Sequence, residues 1–179
     1  MYTSPLAMMQ QFGVQRLTKY ASPIDAVVIK VVPAAVLRAV IVGGDTSSFS
    51  DDQVELANNA LVRIQDNIQA AESVVNAYLI RRYQVPLSTT LLEANQKLLS
   101  RHTNSIARYL LAAHKPSVTI RSAYDTAVSW LDDITSSNRG GLSLGEEEAD
   151  IATSYPTLTP PFSVKQSASR ISWQCYRRI

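Results

Sequence analysis

The residues best suited to chemistry are few and far apart. His102 and His114 are the two histidines and Cys175 the single cysteine. A zinc site needs several converging ligands. The two histidines fall about three turns apart on one predicted helix, too far to share a metal. Asp132 and Asp133 are sequence neighbours, and neighbours on a helix do not face each other, so they read as a solvated face. Gly43-Gly44 and Gly140-Gly141 lack the following lysine and helix of a phosphate-binding loop. These patterns assign no catalytic, cofactor-binding or metal-binding residue, and we expect neither an enzyme nor a cofactor. Arg81-Arg82-Tyr83 closes a long predicted helix, where cations complement the negative end of the helix dipole or serve a subunit contact. The C-terminal segment stands out more. Arg170, Trp173, Tyr176, Arg177, Arg178 and Ile179 are of the types enriched at interface hot spots. Exposed on a free monomer they would be a liability. We read them as partner-binding. A tail packed on its own domain is the alternative, and nucleic-acid contact has too few charges behind it.

These groups sit on a chain of 179 residues with 46% hydrophobic residues, 7% aromatics and a net charge of +2. That length suits one domain with an appendage, built on an aliphatic core. The near-neutral balance argues against a dedicated nucleic-acid binder. Met1 to Pro5 lacks the basic and apolar regions of a signal peptide, so no secretory leader is expected. The apolar run from Ala26 to Val42 is broken by Lys30, Pro33 and Arg38, short of the roughly 20 residues that span a bilayer.

The expected fold is mainly α: a bundle of about four helices. Ser4-Pro5 starts a short helix carrying Leu6, Met9 and Phe12, stopped by Gly13, with a short turn over Val14–Leu17. Ser50-Asp51-Asp52 opens a long helix over 51–83, whose stripe is Leu61, Ile64, Ile68, Ala71, Val75 and Tyr78. A third helix spans 90–114, burying Leu91, Leu98, Ile106 and Leu110, and a fourth spans 119–135 with Ala127, Trp130 and Leu131 inside. Residues 26–42, rich in Val and Ile and divided by Pro33, predict a β-hairpin or two extended arms. A helix is the rival reading there, but Pro33 in its middle would cost about 3 kcal/mol. Residues 1–145 form the helical domain in this reading. Residues 146–179, with three prolines between Tyr155 and Phe162, form an extended arm.

The centre of the chain resembles the Mu-like family of phage neck proteins, the head-to-tail connector subunits. The matching pieces are Tyr2 with a short helix ending at Phe12-Gly13, then Ala77-Tyr78-Leu79-Ile80-Arg81-Arg82-Tyr83-Gln84-Val85-Pro86-Leu87. Ile106-Ala107-Arg108-Tyr109-Leu110-Leu111, Tyr124-Asp125-Thr126-Ala127, Trp130-Leu131 and Leu142-Ser143-Leu144 follow in order. Residues 26–42 and the tail after Gly145 stand apart from that pattern. The resemblance implies a virion protein made in the host cytoplasm. It implies a homo-oligomeric ring, dodecameric in similar adaptors, that contacts the portal protein above and another neck or tail protein below. DNA would pass through its lumen without sequence-specific binding, and no membrane is involved. A stopper or tail-completion protein is the nearest alternative. A small helical DNA-binding packaging or regulatory protein is the alternative of another class, and it would need a basic recognition helix.

Overall fold

The computed structural model describes residues 1–22, 31–113 and 116–136. Among these are six helices and no strand: α1 (Pro5–Phe12), α2 (Val14–Ala21), α3 (Ala34–Val42), α4 (Asp51–Leu79), α5 (Thr89–Ala112) and α6 (Val118–Thr135). The three long helices form an up-down-up bundle, with α1–α3 packed around α4 and α5. Stacked pairs His102–Trp130 and Tyr109–Tyr124 advance along α5 while retreating along α6, so those two helices run antiparallel.

Local chemistry sets the ends. Ser4 caps α1 by accepting from the Ala7 N–H at 3.2 Å, with Pro5 in the first turn. Gly13, at φ +81°, separates α1 from α2 in a conformation that side-chain-bearing residues rarely adopt. Ser88 and Ser117 cap α5 and α6 in the same way as Ser4 caps α1. The backbone N–H of Ser50 donates to Gln53 Oε1 at 3.4 Å at the start of α4, where Asp51 and Asp52 meet the positive end of the dipole.

The expected β-hairpin is not found, and the helices outnumber the four expected. Residues 34–42 are helix α3, Val31–Pro33 lead into it without regular structure, and Ala26–Lys30 lie outside the described residues. Pro33 does not interrupt this helix; it stands at its N-cap, where its φ of −63° suits the start of a helix. Gly43 is the left-handed C-cap of this helix, its N–H reaching the Ala39 and Val40 carbonyls. Burial of Val36 and Leu37 against α4 overrides the strand preference of the β-branched residues. The expected turn after Gly13 is likewise a full helix, α2, burying Leu17 and Ala21.

The core runs along α4 through Ala57, Ala60, Ile64, Ile68, Ala71, Val75 and Leu79. Opposite lie Leu99, Ile106, Ala107 and Leu111 of α5 and Ile120, Ala127, Leu131 and Ile134 of α6. Leu61 and Trp130, expected inside, are half-buried, and on α5 the buried face sits one residue on from the expected Leu98 and Leu110. On α1 it is Met8 that is fully buried, while Leu6 is 41% exposed.

Candidate functional site

The residues read as partner-binding, Arg170, Trp173, Tyr176, Arg177, Arg178 and Ile179, lie outside the described residues, as does His114. What the structure does bring together are the motif residues of the bundle, which become ties between helices at three places.

The first is the N-terminal clasp. The Tyr2 backbone N–H donates to Glu72 Oε1 and its hydroxyl to Asn76 Oδ1, joining the start of the chain to α4. Gln96 of α5 donates to the Tyr2 carbonyl at 3.3 Å. Thr3 Oγ1 donates to Asn104 Oδ1 at 2.7 Å, and Asn104 Nδ2 donates to Gln11 Oε1 at 2.9 Å. Burial, reinforced by the Glu72 charge, raises the Tyr2 phenol above its ordinary value. Thr3, Asn95, Thr103 and Asn104 are buried polar residues that the apolar periodicity did not reveal. Asn95 and Thr103 stand four positions either side of Leu99 on one face of α5, so polar residues interrupt the buried stripe and hide it from a search for hydrophobic residues.

The second tie joins the end of α4 to the end of α6. Arg82 Nη1 donates to the Ile134 and Ser136 carbonyls at 3.1 and 3.2 Å, and the Tyr83 hydroxyl donates to Ile134 at 3.2 Å. Arg81 lies 3.5 Å from Asp132 and stacks on Tyr78. The cations of this motif thus serve the C-terminus of a neighbouring helix, across 51 or more residues of sequence, as well as lying near the end of their own.

The third is aromatic. His102 stacks on Trp130 with centroids 4.2 Å apart, and Tyr109 on Tyr124 at 4.1 Å. Arg108 covers the Phe12 ring from 4.6 Å, and burial holds its guanidinium below its ordinary value. Burial and the neighbouring Arg101 charge lower the His102 imidazole.

An open groove of about 910 Å³ runs between the N-terminal segment and α5, lined by Gln10, Gln96, Lys97, Ser100 and Arg101 among others. Its polar groups hold the clasp together and pair no nucleophile with a base. Among the described residues, no three His, Cys, Asp or Glu side chains converge on a point that could hold a metal, and no helix is long and apolar enough to cross a membrane.

The chain is similar to the Mu-like prophage FluMu protein gp36 of Haemophilus influenzae, at 30% identity over 88 residues. The match takes in 49% of this chain and 57% of that relative's length. No solved structure matches the chain. The family model described as Bacteriophage Mu, Gp36 matches residues 2–157. The chain therefore belongs to the Bacteriophage Mu Gp36 family, a membership that points to a structural or morphogenesis protein of a Mu-like phage.

Proposed function

We propose that this protein is a neck adaptor. Copies of it form a ring between the portal of the DNA-filled head and the tail, around the tunnel through which DNA passes. The role is structural, not enzymatic, and needs no cofactor. The observation that carries the reading is the family match over residues 2–157. The bundle geometry supports it: the motif side chains are spent on holding helices to one another, which gives the stiff body that ring assembly requires. Closed rings of identical subunits need a heterologous contact, in which two different patches of one copy meet. The portal contact falls to the C-terminal arm, through Trp173, Tyr176, Arg177 and Arg178, whose types suit a hot spot.

Truncation after Ser154 tests this. Helicity by circular dichroism should be unchanged, because the six helices among the described residues all end by Thr135 and the arm is read as extended. Attachment of tails to filled heads should be lost. Normal head-to-tail joining by the truncated protein would overturn the assignment of the arm.

A further inference from the structure

The bundle carries two charged faces that match one another. α4 holds one base, Arg63, and that side chain turns inward to donate to the Ala21 and Ser22 carbonyls at 3.1 and 2.8 Å. The outward face of α4 is left with Asp51, Asp52, Glu55 and Asp66, all exposed. Asp51 and Asp52 already serve the start of their helix. Glu55 and Asp66 have no such local role, and neither has an ion-pair partner among the described residues. Glu55, Val62 and Asp66 project within about 40° of one another, and Val62 between the two acids is 52% exposed.

The counterpart is on α5. Lys97, Arg101 and Arg108 also fall within about 40° of one another; Arg108 is half-buried over Phe12, so Lys97 and Arg101 are the exposed members. Glu93, one turn before Lys97, is the single acid on α5. Lys97 and Arg101 are exposed and have no ion-pair partner among the described residues. The separations agree as well. Glu55 to Asp66 and Lys97 to Arg108 are each 11 positions along a helix, a rise of about 16.5 Å.

We propose that the outward face of α4, centred on Glu55, Val62 and Asp66, docks on the Lys97–Arg101–Arg108 stripe of a second copy of this chain. This rests on the ring reading above and names the two patches of its heterologous contact. One patch is acidic around an apolar centre and the other is basic, so each copy offers one of each and the contact propagates from copy to copy.

Two double variants of the full chain test it by sedimentation velocity over a concentration series at low and high salt. One is Glu55→Lys with Asp66→Lys. The other is Lys97→Glu with Arg101→Glu, both exposed, leaving Arg108 on Phe12 in place. Circular dichroism checks that each still folds. The wild type should self-associate, less so at high salt. Each variant alone should associate about tenfold more weakly or less, since like charges then face each other. Mixing the two should restore association, because each supplies the face the other lost. Association of the wild type that survives both reversals would overturn these faces while leaving the ring reading standing. A wild type that stays monomeric throughout, with no association in the mixture, would overturn the contact as well, and the arm truncation would then judge the ring reading separately. If the basic-face variant self-associated normally but lost retention on a short DNA duplex, the stripe would be a phosphate surface and the proposal would fall.

Discussion

Trp130 lies at the edge of the bundle with one ring face against His102, while its neighbour Leu131 is fully buried. Their truncations should therefore rank against size. Leu131→Ala should cost about 2–5 kcal/mol through the cavity it leaves. Trp130→Ala should cost less, about 1–2 kcal/mol, mostly the stacking and a partial burial. Urea denaturation of both variants checks the order. Thr103 offers the opposite sign: its hydroxyl is buried with no hydrogen-bond partner among the described residues. Thr103→Val keeps the shape and removes the unsatisfied group, so it should be neutral or stabilise by up to about 1 kcal/mol in the same assay. His102 sets a pH dependence. Its imidazole is held below its ordinary value of 6.5, so the unfolded chain takes up the proton first as the pH falls. Stability should be constant in this respect above about pH 6.5 and decline below it. His102→Asn should flatten that slope, as read from melting temperatures between pH 5 and 8. At this scale the sequence was partly legible. Ala127 and Leu131 were placed inside and are fully buried, but Trp130 was placed too deep. Apolar periodicity registers that a residue faces inward, and says nothing of whether another helix covers it.

Helices α4, α5 and α6 were legible because each has a stripe, a capping serine and a proline or a polar terminator at its end. Their ends fell within about four residues of expectation, the long helix stopping at Leu79 instead of 83. α3 was misread because composition was weighed over spacing. Val36, Leu37, Val40 and Ile41 recur at helical intervals, and the first two are fully buried; the helical rival was set aside because Pro33 was placed in its interior instead of at its cap. The tie from Arg82 to α6 was not legible at all, since no local pattern reports a contact between an arginine and carbonyls 52 and 54 residues away. Arg82→Ala should cost about 1–2 kcal/mol by removing charge-assisted hydrogen bonds at the end of α6. Hydrogen exchange should show the loss concentrated in amides of the last turn of that helix, around Asp132–Thr135.

For the molecule as a whole, several residues on which the resemblance rests take part in these ties: Tyr2 in the clasp, Arg82 and Tyr83 between α4 and α6, and Tyr109 with Tyr124 between α5 and α6. Those ties hold the bundle's shape, and among the described residues Glu55 and Asp66 of α4 and Lys97 and Arg101 of α5 are left exposed. The partner reading rests on that resemblance alone, and the segment expected to carry the contact lies outside the described residues. Electron cryo-microscopy of purified particles, with the protein identified by a bound antibody fragment, tests the central claim most directly. The account predicts a closed ring of this protein between portal and tail, encircling the DNA channel, with the helical bundles forming the ring and chain density rising to the portal. Particles in which the protein is absent from the neck, or lies elsewhere in the virion as isolated copies, would contradict it.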